Sequence, residues 1–407
     1  MNSIEREKQW TKVHERLRDI TANADEITEA LRAHHAAYYE GLEYWLARLY
    51  DSKIGGFYYS NSGRDTDGYL PDIESTYQAT TILTSSGMFS SWDELPDGLK
   101  EGIARFTCSL QSPEDGYIYH PQWGKKIIDS RRGRDMKWAV GLSERLGFKL
   151  PYPTAMDRLK AHSSNTGGVQ NVAEHLKSPE AFLEYLRALD WKERAYPSGN
   201  QIAAQVDEIR AAGLADVACD FLDSVQNKET GLWHPTAGYK AVNGAFKISF
   251  LYLSANRKMP NADRVLAAAV DAMTTDKEVA GTACYVYNTW YTVNNILRLR
   301  GEVGKTPEVL LRGAPEAIRQ TTEKLKAFMV GDGSCSMCPG HTVAESQRAR
   351  VAVSNNIKEG DVNATVIAAP STTNSMYSAL GLTDVAVPML GDEEREIFIK
   401  SLGTACK

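Results

Sequence analysis

The chain has 407 residues, 43% hydrophobic and 24% charged, with a formal net charge of −6. This is ordinary globular composition with ample material for a large core, and its longest basic cluster, Arg131-Arg132-Gly133-Arg134, makes no nucleic-acid footprint. The charged opening MNSIEREKQWTKVHERLRD lacks the apolar centre of a signal peptide, no stretch approaches the roughly 20 apolar residues of a bilayer span, and the six cysteines are scattered. A cytoplasmic protein with reduced thiols, meeting a small molecule, is expected.

Taken in chain order, apolar residues recur at helical spacing, and strands are scarce. The spacing predicts helices over 27–50, 72–88, 96–111, 132–147, 178–190, 198–213, 214–227, 240–256, 262–274, 282–300, 313–329 and 361–382, the last kinked at Pro370. They fall into pairs joined by glycine-bearing loops: IGGFYYS, EDGYIYH, RAYPSGN, ETGLWHP, EVAGTAC and GDGSCSM. With Gly56, Gly116, Gly199, Gly231, Gly281 and Gly333 as markers, the steps are 60, 83, 32, 50 and 52 residues. A helical hairpin with its loops needs about 50 residues. An insertion at about 148–177 accounts for the long step, and a recurrence of this kind marks a repeat architecture.

Six hairpins predict an all-α, (α/α)6 toroid over 1–407, with the glycine loops gathered at one mouth. An open solenoid would also stack helical pairs. Against it, no tight consensus recurs, and the second helix of each pair carries polar residues within an apolar stretch, as cavity-lining helices do.

The same residues carry a resemblance. IGGFYYS followed by PDIESTYQATTIL resembles the glycine-aromatic and Thr-Tyr pattern of protein prenyltransferase β subunits. QSPEDGYIYHP and QNKETGLWHP are similar to the turns of terpenoid cyclases and of toroidal glycoside hydrolases. The resemblance implies the toroid and leaves several chemistries open, since this fold hosts unrelated reactions. Cys284 in GTACYVYNTW matches a zinc-binding cysteine of the prenyltransferases, but Thr282 stands where that family has aspartate, and EGDVNATVIA lacks its later histidine. Protein prenylation is therefore not expected.

Each second helix has Asp or Asn in or near its first turn, where these residues cap helices. Together they would ring one mouth of the cavity. Asp72, Asp207, Asp361 and Glu359 are the candidate acids and bases, because glycoside cleavage needs one protonated and one ionised carboxyl across the sugar. Asp72 and Asp361 begin the first and last inner helices, which become neighbours on closure. Candidate substrate contacts are Glu74, His120, Trp123, Asn200, Trp233, His234, Asn243, Lys247, Tyr287, Asn288 and Trp290. Their aromatics suit stacking on sugar faces or stabilising cations, and Lys247 is a charge inside an apolar helix. For each, core filling or capping is the bland alternative.

Cys335, Cys338 and His341 have ligand-like spacing but no second pair, so no metal is expected. DTDG reads as a turn. No P-loop, dinucleotide fingerprint or nucleophile elbow is present, and no cofactor is called for. The sequence favours an enzyme hydrolysing or eliminating a carbohydrate or glycoside. Terpenoid or prenyl chemistry, or a non-catalytic ligand-binding toroid, are the alternatives.

Overall fold

The computed structural model describes residues 3–158 and 173–402. Within the expected insertion, residues 159–172 lie outside the described residues.

Amphipathic patterning divides the helices into two layers. In Glu308–Lys326, Leu310, Ala314, Ala317, Thr321 and Leu325 recur every three to four residues and are buried, while the charges take the other face. It belongs to the outer layer, with Leu42–Leu49, Asp97–Ser109, Pro179–Ala188, Ala215–Val225 and Ala262–Thr274. The inner layer comprises Ile73–Ser85, Asp129–Leu146, Ala195–Ala204 continuing as Val206–Ala211, Tyr239–Ser254, Ala283–Arg300 and a final broken helix. Each inner helix packs on the next, and Val362–Val366 packs back on Ile73–Ser85, so the ring closes. The core lies between the layers: Leu46 and Ile103 from outer helices and Ile82 and Leu142 from inner ones expose no surface. Burial of each such side chain contributes ~1.5–3 kcal/mol.

Several expected elements differ in detail. Ser3–Arg18 is a helix that charge concealed, with only Trp10, Val13 and Leu17 buried. The helix expected over 27–50 is two, Ala24–Ala36 and Leu42–Leu49, broken at Gly41 with φ +106°. There the chain crosses the sixth loop so closely that a Cβ on Gly333 would lie 2.4 Å from the Leu42 nitrogen. Gly199 is not a loop glycine. It sits inside Ala195–Ala204, where a Cβ would come within 2.9 Å of the Lys247 Cβ, so it permits close helix contact. The last inner helix runs as Val362–Val366, a π turn Ile367–Ser371 holding Pro370, and Thr372–Ala379. The proline cannot donate to the preceding turn, and the wider turn absorbs the loss.

Closure depends on Asp361. Its side chain caps the last inner helix by accepting from the Ala364 nitrogen at 2.7 Å, and also accepts from the Met337 nitrogen at 3.1 Å and the Thr342 hydroxyl at 2.6 Å. Its backbone nitrogen donates to Cys335 O, and the Val362 nitrogen donates to Tyr59 O in the first loop. Nearby, Glu359 accepts from the Ser60 hydroxyl at 2.9 Å and the Ser62 nitrogen at 2.8 Å. Sixth hairpin and first loop are thus joined by buried carboxylates. Replacing Asp361 by Ala strands three buried donors, so unfolding in urea should show a loss of about 3 kcal/mol. A loss below about 0.5 kcal/mol would contradict this role for the joint.

Candidate functional site

The inner helices surround a cavity of about 820 Å3. Its lining on Ala283–Arg300 is Tyr285 together with a stripe, Cys284, Tyr287, Asn288, Tyr291, Asn294, Asn295 and Arg298, at intervals of one or three residues. Cys284 to Arg298 is 14 residues, which at 1.5 Å per residue makes a wall roughly 21 Å long. At the loop end the hairpin Glu345–Ser346/Ala349–Arg350 contributes Glu345, Ser346 and Gln347 to the lining. Arg131 and Ser130 hold this hairpin, donating to Ser346 O at 3.3 Å and to Gln347 Oε1 at 2.8 Å. At the opposite end stand Arg145, Arg298, Asn374 and Ser378.

Aromatic rings fill the wall between these ends. Tyr77 and Trp138 lie 4.3 Å apart, Phe246 and Phe250 5.0 Å, and Tyr287 and Tyr291 5.3 Å. Among the described residues five cations also line the cavity, Arg134, Lys137, Arg145, Lys247 and Arg298, against one carboxylate, Glu345. Among the described residues only Arg134 of these five has an ion-pair partner, Glu74. Burial, with Arg134 and Lys137 nearby, pushes the Lys247 ammonium down to about 8. Burial likewise lowers Lys137.

The acidic residues have been drawn into the wall. Arg131 has no exposed surface and pairs with Asp72 at 3.2 Å, Glu74 at 3.2 Å and Asp135 at 2.9 Å. Burial opposes the charge on Glu74, but Arg134 and Arg131 override it and hold its carboxyl below the ordinary range. Burial instead dominates at Asp135, lifting it to about 6 although Arg131 acts against this. Asp361 is raised to about 6, again by burial, with the Thr342 hydroxyl opposing.

The candidate residues are distributed accordingly. Asn200, Lys247, Tyr287 and Asn288 line the cavity together. Asn243 is buried beside them, donating to Tyr239 O at 2.8 Å and accepting from Asn288. Asp72 caps Ile73–Ser85, accepting from the Ser75 nitrogen at 3.1 Å and its hydroxyl at 2.6 Å. Asp361 and Glu359 form the ring joint, and Asp207 pairs with Arg210 at 3.2 Å on the rim of a neighbouring groove. His120 bonds to Pro71 O at 2.8 Å and stacks on Trp123 at 3.9 Å, which in turn lies under Arg131. Trp233 and Trp290 face the core, donating to Leu222 O at 3.0 Å and the Thr321 hydroxyl at 2.8 Å. His234 accepts from the Thr236 nitrogen at 3.1 Å, within its own turn. His341 bonds to Thr342 O at 3.0 Å, and Cys335 and Cys338 are free thiols.

Sequence reasoning missed Arg134, Lys137, Trp138 and Arg145. Their spacing of three, four and eleven residues along RGRDMKWAVGLSER puts them on one face of a helix. Tyr77, Phe246 and Phe250 carry no sequence signal that separates them from core aromatics.

No family model matches the chain, and no curated protein does. The solved structures with a likeness include type II terpene cyclase MstE from Scytonema without ligand, at 14% identity and a TM-score of 0.42, covering 90% of this chain and 99% of that one. A variant of that enzyme holding geranylgeranyl dihydroxybenzoate matches at 13% identity and a TM-score of 0.42, covering 90% and 98%.

The carbohydrate chemistry expected from the sequence is overturned by the lining of the cavity. Among the described residues no pair of carboxyl groups faces across the cavity, because all but Glu345 are engaged in the walls or lie outside them. Glycosidic cleavage by acid and base requires that pair.

A pH dependence follows from the buried acids. Burial lifts Glu208 to about 7, against the Tyr117 hydroxyl that donates to it. The folded value lies above the unfolded value of roughly 4.3, so this group's stabilisation is complete only below that value and is lost as pH rises through about 7. Urea midpoints should fall between about pH 5 and pH 8, and Glu208→Gln should flatten the upper part of that slope. An unchanged slope in the variant would show that another group sets it.

Proposed function

We propose that this protein is a terpenoid- or prenyl-processing toroid, taking into its cavity an elongated apolar molecule with an anionic head. The supporting observation is the wall itself, where Lys137, Arg145, Lys247 and Arg298, unpaired among the described residues, alternate with aromatic rings. An anionic group gains from a desolvated cation that no carboxylate has neutralised. An apolar chain gains from the rings, which also stabilise positive charge developing along it. The wall of roughly 21 Å suits an extended chain better than a compact ring compound. The prenyltransferase-like stretch IGGFYYS, followed by PDIESTYQATTIL, supports the same class.

Equilibrium binding provides the test. Geranylgeranyl thiodiphosphate should bind at least about tenfold more tightly than geranylgeraniol, a difference of ~1.4 kcal/mol. Lys137→Met should erase most of that preference while leaving the alcohol's affinity unchanged. Equal affinity for the two ligands, or binding of neither, would overturn the reading. Incubation with geranylgeranyl diphosphate and mass analysis of the extract then identifies any product.

A further inference from the structure

Lys247 differs from the other cations of the cavity. Its stem is held from behind: Gly199 packs against its Cβ, and Gly244, on the same helix, packs against Ala195. Its Nζ lies 5.1 Å from the Phe246 ring centre and 5.7 Å from that of Tyr196. Among the described residues no carboxylate pairs with it. The charged and titratable groups facing it are Arg134 and Lys137 from Asp129–Leu146, Glu74 from Ile73–Ser85, and Cys284 from Ala283–Arg300. Glu74, the only anion of the four, is already engaged by Arg131 and Arg134. An amine among rings, beside two other cations and without a counter-ion, is in the setting that favours the neutral, nucleophilic form.

We propose that Lys247 is a covalent site that condenses with the carbonyl group of a long apolar aldehyde or ketone seated in the cavity, forming an imine. The Nζ lone pair adds to the carbonyl carbon to form the C–N bond, and a proton moves from nitrogen to oxygen. The carbinolamine then loses its hydroxyl with a second proton as water, leaving C=N; no oxidant or reductant is consumed. The buried Tyr196 hydroxyl, raised well above its ordinary range by burial, stays protonated beside this step. The inference rests on the reading that the cavity takes an apolar chain, but it does not need the anionic head.

Reductive trapping tests it. The full chain is incubated with decanal and cyanoborohydride, and adducts are located by intact mass and peptide mapping. A single adduct at Lys247 should form at least about tenfold faster than at exposed lysines such as Lys8 or Lys12. Glyceraldehyde, small and hydrophilic, should show no such preference. Lys247→Arg removes the nucleophilic amine and should abolish the adduct in a protein that still unfolds cooperatively in urea. Labelling confined to exposed lysines in the folded protein, or undiminished in Lys247→Arg, would overturn the proposal. An adduct at Lys247 in a protein that does not prefer the thiodiphosphate supports the imine and removes the anionic head. Anion preference without the adduct removes the imine alone.

Discussion

A ring of helices closes only if its last member starts beside its first, and here a buried carboxylate makes that joint. Asp361 satisfies donors from its own helix, from the preceding loop and from Thr342, while its backbone draws in Cys335. Glu359 binds the first loop through Ser60 and Ser62 a few residues away. Without Asp361 the Ala364 and Met337 nitrogens and the Thr342 hydroxyl would be buried without that partner, which is why an anion at this joint is structurally demanding. The cavity exists because this joint encloses it.

A second buried group explains the sign of the cavity. Arg131, without exposed surface, gathers Asp72, Glu74 and Asp135, and Glu74 also holds Arg134. Three carboxylates around one guanidinium fasten the first two inner helices together. They also remove acidity from the lumen. A chain with net charge −6 therefore presents a cavity wall with five cations and one carboxylate. Net charge describes the outer surface and solubility, whereas the field at a site depends on which charges the walls have already paired.

Helical periodicity and the spacing of the glycine loops made the toroid legible before any coordinates. Asn200, Lys247, Tyr287 and Asn288 were legible as cavity residues for a related reason: polar side chains within apolar inner helices need a wet or ligand-filled space. Gly199 was misleading, because a glycine that permits two helices to touch leaves the same trace as one that turns a loop. Trp233 and Trp290 were likewise ambiguous, since an indole donates as well to Leu222 O or Thr321 in the core as to a ligand.

The sequence by itself determined the helices, their pairing and their approximate number, because these follow from local periodicity, capping and turn chemistry. It also determined that Asp72 and Asp361 begin the first and last inner helices. Only the tertiary structure decided what those carboxylates face. Arg131 gathers Asp72 and Glu74, and Asp361 draws in Met337 and Thr342, through contacts between residues 19 to 59 positions apart. Such pairings depend on which helices the closed ring makes adjacent, and no spacing along the chain encodes them.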